Sequence, residues 1–182
     1  MKYKNTLEQY GLVATSFHWV IAVLIIAQLA VGLYMVDLPL EPSKFELYGL
    51  HKEFGTVVLI LASLRVLWRW SNIVPPQLNY IPKWQAQAAR LSHFLLYVSM
   101  FAMPLTGWIM SSAGGFPVSF FGLFVLPDLV SPNKELSSFF QETHAWIGYA
   151  LIALITLHIA ATVQHYVVYK ENILKKMWPL GK

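Results

Sequence analysis

Six histidines and no cysteine bound the metal chemistry open to this chain of 182 residues. Without a thiolate there is no disulfide, iron–sulfur cluster, thiolate zinc site or covalently attached c-type haem. His144 and His158 share one apolar stretch. Their spacing, at about 100° and 1.5 Å per residue, returns to within about 40° of the same helix face while advancing about 21 Å. One helix therefore presents two nitrogen ligands at two depths. His18 stands near the start of the first apolar run and His51 at the start of the second, which runs back the other way. Depth then pairs His18 with His158 and His51 with His144. Two facing imidazoles without a neighbouring carboxylate suit the axial positions of a haem iron better than zinc, which collects three or four ligands. The expected cofactor is bis-histidine haem b, twice. The alternative for any one of these histidines is a polar side chain bonded to a nearby carbonyl, but four at matched depths inside a membrane would be costly without a role.

Arg65 and Arg69 follow His51 on nearly the same helix face, so Arg65 points inward at the depth of the His18–His158 pair. A guanidinium there suits a haem propionate; the alternative is that both arginines snorkel to lipid headgroups. His93 and His165 fall near the same ends of their helices. Each either borders a propionate or a quinone or is an interfacial histidine without a cofactor role. His165 is the first choice for a quinone contact, since it lies about 20° from the face of His158 and about 10 Å further along. Gly32, Gly55, Gly107 and Gly148 recur in register with the histidines. They would let either a porphyrin or a neighbouring helix approach the backbone.

The elements that position these residues are membrane helices. The chain is 57% hydrophobic and only 12% charged, about half the charge of an ordinary soluble domain. Apolar runs long enough to cross about 30 Å of hydrocarbon predict four helices, at about 12–36, 51–70, 91–112 and 143–169. Pro104 and Gly107 inside the third are tolerated in a membrane helix and predict a kink. Segments rich in Pro, Gly and Ser between helices read as loops. The fold class is thus all-α: an integral membrane four-helix bundle forming one membrane domain over residues 1–182.

Cations orient it, because short cytoplasmic loops are enriched in Lys and Arg. Lys2, Lys4, Arg65, Arg69, Lys83, Arg90, Lys170, Lys175, Lys176 and Lys182 fall on one side, and Lys44, Lys52 and Lys134 on the other. Both termini are expected in the cytoplasm, with His51 and His144 towards the outside. The outer side carries seven of the nine carboxylates, Asp37, Glu41, Glu46, Glu53, Asp128, Glu135 and Glu142. No basic surface for nucleic acid is evident. Trp19, Trp68, Trp70, Trp84, Trp108, Trp146 and Trp178 fall mostly near span ends, as an interfacial aromatic belt would.

The ordered set resembles the bacterial cytochrome b561 family over nearly the whole chain. It includes Phe17-His18-Trp19, Leu50-His51-Lys52, Leu64 to Arg69, Ser92-His93 with Leu96-Tyr97, and Pro104 to Gly107. It continues through GGFPVSFFGLFVLP, Thr143-His144 with Trp146 and Gly148, Leu157-His158, His165-Tyr166 and KENILKKM. The resemblance implies a four-helix cytochrome in the inner membrane of a Gram-negative bacterium. It implies two b haems held at the positions of His18, His51, His144 and His158, and electron transfer linked to ubiquinone. Some relatives take electrons from superoxide outside and pass them to ubiquinone near the inner haem. Relatives often carry a second histidine after the position of His165, where this chain has Tyr166.

Three functions are weighed. The favoured one is a di-haem cytochrome carrying electrons between the quinone pool and an unidentified periplasmic donor or acceptor, for which an acidic outer face offers a docking surface to a basic partner. A superoxide:ubiquinone oxidoreductase needs an anion to approach, and the carboxylate-rich outer loops oppose this unless Lys44, Lys52 or Lys134 is locally positioned. The third is a haem-binding membrane anchor for another subunit, without turnover of its own.

Overall fold

The computed structural model describes residues 3–76, 82–168, 170 and 177. Lys2, Tyr169, Lys175, Lys176, Trp178 and Lys182 lie outside these. Four helices carry the fold: α1 Leu12–Val36, α2 Pro42–Trp70, α3 Lys83–Ala113 and α4 Lys134–Val167. Three of them, α1, α3 and α4, are long and apolar enough to cross a membrane. In chain order each helix packs against the next. A two-stranded antiparallel hairpin, β1 Ser119–Phe120 and β2 Phe124–Val125, lies between α3 and α4.

The bounds differ instructively from those expected. α1 covers the whole of its apolar run. The other three begin about two turns before theirs, because hydropathy marks only what lipid must cover while polar residues continue the helix into water. α2 starts with Pro42 at its first turn, where a missing N–H costs nothing. α4 starts at Asn133, whose side chain accepts from the Leu136 N–H at 2.9 Å. α3 runs unbroken through Pro104. Gly11 opens α1 because a Cβ there would collide with the Tyr3 and Lys4 backbone. At the other end of α1, the Lys44 Nζ donates to the carbonyls of Val36 at 3.0 Å and Leu38 at 2.7 Å, where helix carbonyls lack partners and favour a cation.

The core is small: Ile21, Ala62 and Met100 are buried together, with Phe17, Ile25, Leu61, Tyr97 and Phe101 packed around them. Large apolar side chains such as Val23, Ile26, Leu33, Phe94 and Leu157 instead face outward. That inside-out distribution suits a solvent of acyl chains, in which outward apolar groups carry no penalty.

The segment after α3, expected as a plain loop, is ordered. In its turn the Leu123 N–H donates to the Phe120 carbonyl at 3.0 Å. Both central residues have positive φ, Phe121 at 51 and Gly122 at 70, as in the hairpin turns whose twist matches the strands. Phe121 in this conformation is unfavourable for a side chain, and its N–H is held by the Glu53 Oε1 at 3.0 Å.

Candidate functional site

α4 is the shared wall of two sites. At the hairpin end of the bundle, His51 of α2 and His144 of α4 face each other with ring centres 6.2 Å apart. At the end bearing the termini, His18 of α1 and His158 of α4 do the same at 6.3 Å. A metal–imidazole bond of about 2 Å on each side, with each ring centre about 1.1 Å beyond its nitrogen, places two axial rings about 6 Å apart. Among the described residues, no group of three or more His, Cys, Asp or Glu is placed to hold a metal ion. Two-ligand pairs around a flat macrocycle are therefore what this donor set fits.

The hairpin-end site opens on an empty space of ≈ 910 Å³, its mouth included, lined among others by Gln28, Ser99, Met103, Gly107 and Val118. Two glycines make room for the rings themselves. A Cβ on Gly107 would lie 3.2 Å from the His144 Cε1, and one on Gly32 would lie 3.4 Å from the His51 Cε1. Gly55 and Gly148 meet only Gln28 and Met103 at ordinary contact distances.

Thr106 sets the His144 ring. Its Oγ1 lies 3.1 Å from the His144 Nδ1, and within 2.7 Å of the Ala102 carbonyl and 2.9 Å of the Met103 carbonyl. A hydroxyl has one proton, which the carbonyls of its own helix take; the oxygen then accepts from the His144 Nδ1–H. That tautomer leaves Nε2 with its lone pair, the form a metal requires. The His51 Nδ1 is buried without a hydrogen-bond partner. The backbone carbonyl of His51 accepts from the Gln28 Nε2 at 2.7 Å, tying α1 to α2 at this depth.

Lys52, next to His51, reaches the same space. Its Nζ donates to the Pro117 carbonyl at 2.8 Å and to the Ser111 Oγ at 3.3 Å.

The terminal-end site is charged and crowded. The Arg65 Nη2 lies 3.3 Å from the His18 Nδ1. A guanidinium only donates, so here Nδ1 accepts and the proton of a neutral ring sits on Nε2. This contact and a metal bond at Nε2 exclude one another, so the ligand form of His18 requires Arg65 to turn to another acceptor. Arg65 and Arg69 both lie against the Tyr97 ring, at 5.4 Å and 5.9 Å from its centre. His93 is placed edge-on to His158 at 5.4 Å, which puts it inside the cluster rather than merely near its rim. His165 is half-buried in the last turn of α4, and Tyr166 beside it is exposed. Trp19, adjacent to His18, donates to the Met177 carbonyl at 2.7 Å.

Sequence reasoning missed Thr106, Gln28 and the partner of Lys52. Only the placement of Thr106 two residues after Pro104 and beside Gly107 hinted at a special position, and nothing local ties it to His144.

The model of the family described as prokaryotic cytochrome b561 matches residues 9–180. The chain is 32% identical over 183 residues to cytochrome b561 homolog 2 of Escherichia coli (strain K12), covering 100% of this chain and 96% of that protein. It is 38% identical over 130 residues to cytochrome b561 homolog 1 of the same organism, covering 69% of each. It is 23% identical over 175 residues, 94% of this chain and 97% of the relative, to a protein of Yersinia pestis named probable superoxide oxidase CybB. A match over most of the chain, on a helical bundle with spans for a bilayer and facing imidazoles along one helix, makes this protein a member of the prokaryotic cytochrome b561 family, a bacterial membrane family whose name implies haem b.

Proposed function

We propose that this protein is a di-haem b-type cytochrome that carries electrons across the bacterial inner membrane between the quinone pool and a donor or acceptor on the periplasmic side. The observation that carries the reading is the duplicated pair of facing imidazoles, at 6.2 Å and 6.3 Å, strung along α4. His51 and His144 would hold the iron of the outer haem, and His18 and His158 that of the inner one. Bound haem supplies a reversible one-electron iron couple. The chain supplies the rest: Thr106 holds His144 in its ligand tautomer, and Gly32 and Gly107 leave the ring space. Arg65, now against His18, would be the residue to hold a haem propionate, with Arg69 next to it on Tyr97.

Ubiquinone enters from the lipid near His165 and His93. A histidine there donates a hydrogen bond to a quinone carbonyl and relays protons, since its unperturbed pKa lies near neutrality. Counting haem in the purified protein tests the reading. Two per chain with a low-spin spectrum is expected, and one or none sinks it. The termini are cytoplasmic, so a reporter fused after Lys182 is active only on that side; activity only in the periplasm reverses the two sites.

A second reading has its own support. Lys52, whose side chain lines the cavity of the outer site, is a cation close to it, and the relative of Yersinia pestis bears a probable superoxide oxidase name. Two superoxide anions would give two dioxygen molecules and two electrons, which with two protons from the cytoplasmic side reduce one quinone to quinol. Supplying superoxide to the purified protein with a ubiquinone analogue distinguishes the readings: quinol formation favours the oxidase, and none leaves the carrier.

A further inference from the structure

The hairpin between α3 and α4 combines one inward apolar residue with a cluster of exposed ones. From Ala113 to Pro127 there is no charged residue. Val118 points inward, only 3% exposed, and helps to line the space between His51 and His144. Phe116, Leu123, Phe124 and Val125 are by contrast 64, 77, 56 and 60% exposed. Their exposure is not that of a loose loop. Phe121 N–H is held by the Glu53 carboxylate at 3.0 Å, the Pro117 carbonyl by the Lys52 Nζ at 2.8 Å, and the Pro127 carbonyl by the Trp108 indole N–H at 3.2 Å. The Leu126 N–H closes the base onto the Val118 carbonyl at 2.8 Å.

These tethers fasten the hairpin to the third turn of α2 and the last turns of α3, at the level where Trp108 places an interfacial indole. Its apolar face also continues a helix surface. Phe121 meets Phe54 edge-on at 5.4 Å, and Phe54 and Leu50 are themselves exposed on α2. An exposed, uncharged, aromatic-rich face that is rigidly held and continuous with the outward side of a membrane bundle has one natural solvent.

We propose that this hairpin is seated in the membrane: its exposed Phe116, Leu123, Phe124 and Val125 side chains lie in the headgroup and acyl boundary of the leaflet at the His51–His144 end. The lipid surface is its binding partner, and the roof of the histidine cavity is thereby held from outside as well as from within. A water-soluble partner at this end approaches over Asp128 and the start of α4, where charges resume, rather than over the hairpin. The inference does not depend on haem being bound.

The absence of cysteine makes a direct test available. Full-length Leu123→Cys and, separately, Phe124→Cys proteins carry one nitroxide each in phosphatidylethanolamine–phosphatidylglycerol vesicles. Ser131→Cys, in the exposed segment beyond the hairpin, is the aqueous reference. The ratio of collisions with dissolved oxygen to collisions with a water-soluble nickel chelate should be several-fold higher for the hairpin labels than for the label at 131. Lipids carrying a nitroxide on the acyl chain should broaden the hairpin signals alone. A ratio equal to that at 131 means the hairpin stands in water and overturns the proposal. Shielding from both reagents means that protein covers the hairpin, either a second copy or a partner, and overturns it as well.

Discussion

The two histidine sites hang from the same helix and have nearly the same ring separation, yet their surroundings are opposite. At the hairpin end the His144 ring is steered by a neutral hydroxyl, glycines clear the space around both rings, and the Lys52 charge is engaged by a carbonyl and a hydroxyl. At the terminal end two guanidiniums and a third histidine crowd the pair, and one guanidinium occupies the nitrogen of His18 directly. The first site is preset in a ligand-ready tautomer. In the second a charged group occupies the corresponding nitrogen. Equal ring spacing therefore does not mean equal chemistry: the groups one shell out decide which nitrogen is free and what charge it meets.

The largest effects should come from cutting each pair in turn. His144→Leu is expected to remove the haem of the hairpin end and His158→Leu that of the terminal end, each leaving one haem per chain and an intact partner spectrum. Retention of both haems in either variant would show that the pairing along α4 is wrong.

Next in size, His165→Ala should keep both haems and slow quinone-dependent oxidation or reduction by about 100-fold, the usual loss for a missing proton-transfer group. Pre-steady-state absorbance of the inner haem reads this. Unchanged kinetics at full haem content would move the quinone contact to His93.

Arg65→Ala separates the sites by charge. Losing a guanidinium–carboxylate bond of about 1.5–3 kcal/mol should weaken retention of the inner haem about tenfold or more while leaving the outer one in place. Arg65→Lys should restore part of it, since charge returns without the planar fork. Equal loss of both haems would instead mark Arg65 as a residue of general stability.

The smallest effect sharpens the contrast most. Thr106→Val preserves shape but removes the acceptor from the His144 Nδ1–H. A neutral hydrogen bond of about 1 kcal/mol corresponds to about 40 mV for a one-electron couple. The outer midpoint should rise by up to about that amount, because an imidazole that no longer shares its proton donates less to ferric iron. Thr106→Ser should return it towards wild type. A shift of both midpoints, or none, would mean that the hydroxyl serves only the backbone of α3.

Much of this was readable in one dimension because membrane helices obey two strong local rules. Every apolar run must be long enough to cross the bilayer and must satisfy its own backbone, so α1 is marked from Leu12 to Val36 by composition alone. Helical periodicity then puts His144 and His158 on one face, with Arg65 beyond His51 on another. The polar first turns of α2, α3 and α4 escaped that reading, since helix in water obeys capping rather than hydropathy. The hairpin escaped as well: Gly and Pro announce a turn, but Glu53, which holds the N–H of Phe121 in its strained conformation, comes from a distant helix.

Ligand types, helix faces and relative depths thus follow from residue identity and spacing within single helices, where geometry repeats every few residues. What the tertiary structure alone decided is which proton sits where. Thr106 lies 38 positions before His144 and Arg65 lies 47 after His18. Contacts across such separations depend on how neighbouring helices rotate and approach, and no local period encodes that rotation. The tautomer of an imidazole is set by whichever group arrives at its second nitrogen, and that group arrives from another helix.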